Sequence, residues 1–271
     1  MAHIIQISVR PLVEYVFRSG SITSGFRTAA TLTEGTKAHQ QVQRGYGEQD
    51  QKEVHLEAEI LYEDMIFAVE GRCDGLIFGD GPVMVDEIKS TSGSLDDIEE
   101  DTYPVHWAQA KMYAYMYAKL HHAAHMAVQL TYVQIPTGHE KKFRRDFSAE
   151  ELNAFAQEVA AAYAPYAILL LEHVRRRDES IRSLSFPFPD YRKGQRKLMG
   201  SVYKSIGEGR KLFAKAPTGI GKTISTLFPA VKAMGEGTVG RIFYLTAKTI
   251  TRTPPRKRPS LWLPAGCTCI R

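Results

Sequence analysis

The feature that most constrains the fold of this chain is a glycine-rich octapeptide, Ala216-Pro-Thr-Gly-Ile-Gly-Lys-Thr223. It stands between a short β-rich stretch at residues 211–216 and a helical apolar pattern over residues 222–234. A second β-rich stretch follows at residues 241–246. Strands that are joined through a helix pair in parallel, so this order predicts a βαβ unit. The sequence therefore predicts the beginning of a parallel-sheet lobe.

The octapeptide also has the composition of a loop that binds phosphate groups. Its spacing matches G-x-x-x-x-G-K-[ST], except that Ala216 replaces the first glycine. The two glycines free successive backbone N–H groups to surround a phosphate at a helix N-terminus, where the helix dipole favours anions. In such a loop the lysine contacts the β- and γ-phosphates and the threonine holds Mg²⁺. The alternative is a chance glycine-rich turn. The residues predicted to bind nucleotide are Ala216, Pro217, Thr218, Gly219, Ile220, Gly221, Lys222 and Thr223.

Charge divides the chain into an acidic part and a basic part. Residues 181–271 contain 18 Lys and Arg against 3 Asp and Glu, whereas residues 1–180 contain 17 against 27. A basic block of this density is typical of a polyanion partner, although a solvated basic surface is the alternative. Composition changes near Arg182, and the Pro-rich run 186–190 predicts a hinge. We therefore predict a domain over 1–180, a second over 181–252 and an irregular basic tail over 253–271.

Other features of the sequence narrow the class of protein. The apolar fraction of 44% with 24% charged residues is ordinary for a globular chain. The longest uncharged apolar run, residues 159–171, has 13 residues and contains Pro165, whereas a membrane span needs about 20. Cys73, Cys267 and Cys269 form no disulfide framework. No signal peptide is recognisable at the start. We therefore expect a cytoplasmic protein without a membrane partner.

The first 180 residues alternate between helical and β-rich patterns, which predicts a compact α/β unit. Ser148 and Glu151 form a capping box ahead of a helix that we expect to kink or break near Pro165. The other predicted helices cover residues 11–17, 33–46 and 104–122, and the predicted strands cover 4–9, 57–62, 65–72, 73–78, 83–89 and 127–135.

Two carboxylates and a lysine converge within this unit. Asp74 precedes a Gly79-Asp80-Gly81 turn, and Glu87 and Lys89 follow it. Residues i and i+2 share a face of a strand, and the hairpin brings Asp74 back opposite Asp86 and Glu87. Carboxylates and the Ile88 carbonyl suit Mg²⁺, and Lys89 is then placed to orient or deprotonate a water or to stabilise charge on a phosphate.

This constellation resembles the PD-(D/E)XK nucleases of the RecB-like branch. In Gly35-Thr-Lys-Ala-His39, the histidine resembles that branch's helix histidine, which the resemblance implies is a further metal ligand. Gln109 and Tyr113 match its Q-x-x-x-Y motif near the DNA strand, and Glu87 with Lys89 matches its E-x-K. Several relatives carry a four-cysteine iron–sulfur cluster, whereas here Cys73 stands alone. The alternative is that each motif is ordinary: an exposed ion pair, a solvated histidine and helix surface.

The second part resembles the opening of DinG/XPD-like superfamily two helicases. The resemblance rests on the octapeptide and the runs 186–195 and 244–249. It implies that Gln195 recognises adenine, that the glycine-rich loop binds ATP and that Thr246 to Thr249 contact DNA backbone. Tyr191 is a candidate to stack on the purine. The family continues with cluster cysteines, an acidic motif and a second motor lobe. Residues after Thr253 show no such pattern, so we expect a truncated or frame-shifted product. In such a product ATP hydrolysis and DNA unwinding would be strongly impaired.

The function predicted from the sequence is ATP-linked DNA processing. The chain is expected to be an ATP-dependent DNA helicase with a nuclease domain, using ATP and Mg²⁺ (or Mn²⁺), on DNA that is single-stranded or has single-stranded ends. One alternative is a non-catalytic fragment that binds nucleic acid. The other is a P-loop kinase or GTPase with an unrelated N-terminal domain.

Overall fold

The computed structural model describes residues 3–17, 29–135 and 137–245. Its strands are His3–Ser8 (β1), Gln51–Tyr62 (β2), Met65–Ile77 (β3), Met84–Thr91 (β4), His125–Gln134 (β5) and Glu140–Ser148 (β6). Its helices are Val9–Phe17 (α1), Ala29–Arg44 (α2), Pro104–His121 (α3), Ala149–Arg182 (α4), Gln195–Gly207 (α5) and Lys222–Gly235 (α6). The protein is therefore a mixed α/β protein, as its sequence predicts.

The strands that the structure describes form one mixed sheet in the order β1-β3-β4-β5-β6, with β2 paired to β3. Strand β3 runs parallel to β1 and antiparallel to both β2 and β4. Strands β4 and β5 are parallel, and β6 is antiparallel to β5. The two strands predicted over 65–72 and 73–78 are one continuous strand, β3. Strand β6 was not predicted, because its alternating Lys, Arg and Glu residues resemble a polar loop.

The central helix α3 fixes one wall of the candidate site. Its residues from Met112 to Ala118 are all buried, so the middle of the helix is covered on every side. It packs with α1 and α4 against the sheet, and burial of these side chains, at roughly 25 cal/mol per Å², holds it rigidly in place. The largest fully buried side chains here include Leu12, Phe67, Met112, Met116, Met126, Leu130, Tyr132 and Leu152.

Helix α4 begins as predicted and continues past the proline. The Ser148 N–H donates to Glu151 Oε2 (2.7 Å) and the Glu151 N–H donates to Ser148 Oγ (3.2 Å), so the capping box is confirmed. The break predicted near Pro165 is wrong, because α4 is continuous over Ala149–Arg182. A helical proline costs about 3 kcal/mol. Buried residues on both sides of it, Val159 and Ala167, anchor the helix in the core and offset that cost.

Helix α4 is also the helix, among the described residues, that is long and apolar enough to cross a membrane. Its most apolar window has a mean hydropathy of 1.4, and 39% of that window is buried inside the protein. Core helices of soluble proteins have the same length and composition. The absence of a membrane partner stays a prediction.

The chain divides into two compact units between Ala167 and Ile168. In the second unit, the structure describes α5, α6 and a small core of Ile181, Leu184 and Val231. The strands predicted over 211–216 and 241–246 are wrong for the described residues, because 211–216 and 241–245 are irregular. A strand is stable only when a neighbour pairs with it, and these stretches have no partner strand within residues 3–17, 29–135 and 137–245. Accordingly, Phe213 is 95% exposed, Phe243 80% and Leu245 89%.

Candidate active site and nucleotide loop

The first candidate site centres on Asp74, which lies near the end of β3 between two glycines. A Cβ at Gly71 would lie 2.8 Å from the Tyr113 ring, and a Cβ at Gly75 would overlap the Tyr46 hydroxyl. The two glycines therefore allow a tyrosine from α3 and one from the segment after α2 to approach β3 closely on either side of Asp74. This explains why the strand carries glycines, which otherwise weaken it.

The hairpin register places Asp74 beside β4. Gly75 pairs with Asp86, which brings Asp74 level with Glu87. The Ile88 N–H donates a 2.8 Å hydrogen bond to Asp74 Oδ2, so the carboxylate is held directly against β4. The contact that the structure shows for Ile88 is through its N–H, and its predicted role as a carbonyl ligand stays a prediction.

Glu87 and Lys89 point the same way from β4, at the spacing that a strand requires. Lys89 Nζ donates to Glu87 Oε1 (2.6 Å) and to Gln109 Oε1 (3.2 Å). Glu87 is only 1% exposed, and its Oε2 has no hydrogen-bond partner among the described residues. Burial, reinforced by the Asp74 charge and opposed by Lys89, raises the pKa of Glu87 to about 7. This pair is therefore not an ordinary exposed ion pair.

Helix α2 contributes His39, whose Nδ1 lies 3.4 Å from Asp74 Oδ1. Burial alone would lower the pKa of His39, but the hydrogen bond and charge of Asp74 raise it overall. A third residue, Glu53 on β2, joins them. One ligand atom from each of His39, Glu53 and Asp74 lies within 4.8 Å of the others. Gln43 steadies this group by donating to Glu53 Oε1 (3.1 Å) and to the Asp74 carbonyl (2.9 Å).

Glu53 was not among the predicted residues. It lies in β2 between Lys52 and Val54, which pair with Gly75 and Cys73, so it stands beside Asp74. Its φ of 52° is unusual for a glutamate and marks a local distortion of the strand. Glu53 comes close to Asp74 only because of the register in which β2 pairs with β3. The sequence around Glu53 carries no signal of that closeness.

These side chains suit a hard divalent cation. Carboxylate oxygens with one imidazole are suitable ligands for Mg²⁺ or Mn²⁺. The buried, unpartnered Oε2 of Glu87 is an acceptor for which such a cation is a suitable partner, because a buried carboxylate oxygen without one is costly. The residues present therefore fit a metal: His39, Glu53 and Asp74 have ligand atoms close enough to share one ion, and Glu87 is a further candidate ligand.

Gln109 and Tyr113 lie one turn apart on α3, and the Gln109 side chain is close enough to the Tyr113 hydroxyl to affect its pKa. Gln109 accepts from Lys89, as described above. Burial, followed by the Glu87 charge, raises the pKa of the Tyr113 hydroxyl, which therefore stays protonated. Tyr113 is buried, and its ring packs against Gly71 of β3, so its predicted place beside the DNA strand stays a prediction.

The neighbouring Asp86 has a different environment. Its carboxylate accepts from Tyr46 (2.7 Å), Gln129 (3.1 Å) and Thr131 (2.6 Å). A buried carboxylate with three donors is satisfied without a cation. Asp86 therefore holds the segment after α2 against β4 and β5, and so helps to position His39.

A cavity of about 960 Å³ opens over these residues. His106 faces it with a hydrogen bond between Nδ1 and the Tyr132 hydroxyl (2.9 Å). Burial, followed by the Lys89 charge, lowers the pKa of His106 to about 3, so this imidazole is neutral. The charged and polar side chains that line the cavity include Arg10, His39, Glu53, Arg72, Lys89 and Gln109.

The second candidate site is the glycine-rich loop of the second unit. Gly219 (φ 89°) and Gly221 (φ 83°) have left-handed backbone conformations that other residues rarely adopt. Gly221 directly precedes α6, so Lys222 and Thr223 stand in the first turn of that helix. Lys222 is exposed and makes no ion pair within the described part of the chain. The loop therefore has the backbone and the free cation that a phosphate requires.

Gln195 sits directly against this loop. It is 3% exposed, and its Oε1 accepts from the Arg192 N–H (3.0 Å). A Cβ at Gly221 would lie 2.6 Å from its Nε2. The Arg192 side chain in turn donates to the Gly219 carbonyl. Tyr191 stacks on Phe186 at 4.4 Å, which covers one face of its ring. The structure thus places Gln195 against the loop, and the roles of Gln195 and Tyr191 with a nucleotide stay predictions.

Several predicted features lie outside the described residues. They are Thr246 to Thr249, Cys267 and Cys269, and the tail over 253–271.

Comparison with known proteins gives partial matches. No protein-family model matches the chain. A 46-residue stretch is 44% identical to "Probable ATP-dependent helicase MJ0942" of Methanocaldococcus jannaschii. This stretch is 17% of this chain and 7% of that protein's length. The solved structure "Crystal structure of SSO0001" matches over 58% of this chain and 75% of its own, at 18% identity. Its TM-score of 0.38 does not establish a common fold. The chain is therefore similar, over 46 residues, to a protein named as a probable ATP-dependent helicase.

Proposed function

We propose that the first unit is a Mg²⁺- or Mn²⁺-dependent DNA nuclease of the PD-(D/E)XK type. The observation that carries this proposal is the buried Glu87, which has one oxygen without a partner among the described residues and another that holds Lys89. The strand register puts Glu87 level with Asp74. Two carboxylates and an ammonium on two adjacent strands are the groups that phosphodiester hydrolysis requires. The cavity that Asp74 and Lys89 line gives a DNA strand access to them.

The residues divide the chemistry among themselves. A bound divalent ion supplies Lewis-acid stabilisation of a phosphate oxygen, and Asp74 and Glu87 would hold it there. The Lys89 ammonium, fixed between Glu87 and Gln109, stabilises the negative charge that develops on the phosphate and orients the attacking water. The Lys89 side chain is therefore already in position before the DNA binds.

We further propose that the second unit binds ATP and belongs to a helicase-type motor. The similarity to a protein named as an ATP-dependent helicase supports this, as do the two left-handed glycines and the exposed Lys222. DNA that is single-stranded or has single-stranded ends is the proposed partner of both units, in agreement with the basic composition of residues 181–271. A cytoplasmic location is part of the same proposal.

The nuclease is tested by incubating the purified chain with end-labelled single-stranded DNA and Mg²⁺ or Mn²⁺. We expect cleavage that a chelator stops and that Lys89→Ala reduces by about 100-fold or more. Lys142→Ala is the matched control, because Lys142 lies on β6 in an exposed pair with Glu140. DNA that is bound but never cut would favour the non-catalytic nucleic-acid-binding alternative.

The nucleotide proposal is tested by competition between ATP and GTP for a fluorescent ATP analogue. We expect ATP to compete and GTP to compete poorly, because a helicase lobe reads adenine through Gln195. A preference for GTP would favour a GTPase, and phosphoryl transfer to a small molecule would favour a kinase.

A further inference from the structure

Arg72 occupies a position in the cavity that the proposed chemistry leaves unexplained. It lies on β3 two residues before Asp74, so the two side chains leave the strand on the same side. Both line the same cavity. Arg72 is exposed, whereas Asp74 lies deeper. The guanidinium therefore stands at the entrance to the site that the carboxylates form.

Arg72 differs from the other permanent cations of the cavity because it is not neutralised. Arg10 is paired with Glu14 (2.7 Å), and Lys89 is paired with Glu87 (2.6 Å). Among the side chains of residues 3–17, 35–135 and 137–245, the Arg72 guanidinium has neither a carboxylate within ion-pair distance nor a hydrogen-bond acceptor. Its five donors are thus available to a ligand.

The ligand that best fits this arrangement is a phosphate group. A planar guanidinium binds phosphate through two parallel hydrogen bonds, which fixes orientation as well as supplying charge. The carboxylates of Glu53, Asp74 and Glu87 repel a polyanion, and a free cation beside them offsets that repulsion locally. Successive phosphates along one strand are close enough for the site and its entrance to be occupied together.

We propose that Arg72 binds a non-scissile phosphate of the DNA strand and positions that strand over Asp74 and Glu87. This inference rests on the nuclease function proposed above. It makes Arg72 a positioning residue, which determines where the strand lies and takes no part in bond cleavage. Its loss therefore raises KM and leaves kcat within about 3-fold of the wild type.

The test uses short single-stranded oligonucleotides in which one phosphate at a time is replaced by a neutral methylphosphonate. With the wild type, we expect KM to rise about 10-fold when one particular non-scissile linkage is neutral. With Arg72→Ala, KM is already raised by that factor, and the same neutral linkage adds nothing. Arg72→Lys, which keeps the charge but loses the fork, should fall between the two. Arg144→Ala is the control, because Arg144 lies on β6 in an exposed pair with Asp146.

The outcomes separate this inference from the function on which it rests. Suppose that the wild type cuts DNA, but that Arg72→Ala and each neutral linkage raise KM independently, so that their effects multiply. Arg72 then contacts no phosphate, and this inference fails while the nuclease function stands. A fall in kcat at unchanged KM overturns it as well. If the wild type cuts no oligonucleotide, the nuclease function fails. The contact is then judged by DNA binding in chelator, where Arg72→Ala must reduce the slope of log K against log salt by about 0.7.

Discussion

Glu87→Gln should stabilise the metal-free protein at pH 8 while abolishing its proposed activity. Glutamine has the shape of glutamate and keeps an oxygen for the Lys89 ammonium, but it carries no charge. Glu87 is almost fully buried, and one of its oxygens lacks a partner within the described residues. Above neutral pH the folded wild type must therefore bury a carboxylate that the unfolded chain leaves in water. The variant avoids that cost.

The size of the effect follows from the pKa. Burial raises the pKa of Glu87 from 4.5 to about 7. Each tenfold difference in proton affinity between the folded and unfolded states corresponds to about 1.4 kcal/mol, so the charge costs about 3 kcal/mol. The folded state binds the proton more tightly, so the wild-type stability is fully present below pH 4.5 and declines as the pH rises through about 7. Glu87→Gln should match the wild type near pH 4.5 and exceed it by about 3 kcal/mol at pH 8.

The assay is urea unfolding followed by tryptophan fluorescence at pH values from 4.5 to 8, in chelator. Trp107 is buried in the first unit and reports its unfolding, and Trp262→Phe in every variant removes the other tryptophan. Millimolar Mg²⁺ or Mn²⁺ should then stabilise the wild type at pH 8 and leave Glu87→Gln unchanged, since a ligand that binds only the folded state stabilises it.

A stability difference that does not change between pH 4.5 and 8 would refute this reasoning, because it would mean that Glu87 titrates normally in the folded protein. A glutamine variant that is less stable than the wild type at pH 8 would refute it as well. The first result would show that the ion pair with Lys89 balances the cost of burial, and the second that it outweighs that cost.

Three further predictions concern Glu53, the glycine-rich loop and strand β3. Glu53→Gln should weaken Mn²⁺ binding by about 10-fold or more in titration calorimetry, and an unchanged affinity would remove Glu53 from the site. Lys222→Ala should abolish binding of a fluorescent ATP analogue and leave DNA cleavage by the first unit intact; equal loss of both would contradict separate sites. Gly75→Ala should destabilise the first unit by about 2 kcal/mol in urea, because its Cβ overlaps the Tyr46 hydroxyl that binds Asp86. The control Gly79→Ala, with open space around it, should change stability by less than about 0.5 kcal/mol.

Much of the first unit could be predicted from local sequence. The glycine turn at 79–81 fixes the hairpin between β3 and β4, and the period of two then puts Glu87 and Lys89 on one face. Helix α3 was also expected, with Pro104 in its first turn. These are short-range signals. They sufficed to bring Asp74, Glu87 and Lys89 together.

The features that escaped prediction depend on long-range pairing. Glu53 approaches Asp74 only through the register of β2 on β3, which no local pattern encodes. The continuity of α4 past Pro165 depends on core packing on both sides of the proline. The stretches 211–216 and 241–245 have β-rich composition but no partner strand within the described residues, and composition alone cannot supply one.

The central claim is that Asp74 and Glu87 share a divalent cation beside Lys89. Crystals of the protein soaked in Mn²⁺ would test it through the anomalous scattering of the metal. We predict a peak within about 2.5 Å of carboxylate oxygens from both Asp74 and Glu87, which Glu87→Gln removes. An ordered site with no peak between these two carboxylates, at a Mn²⁺ concentration that supports catalysis, would contradict the account.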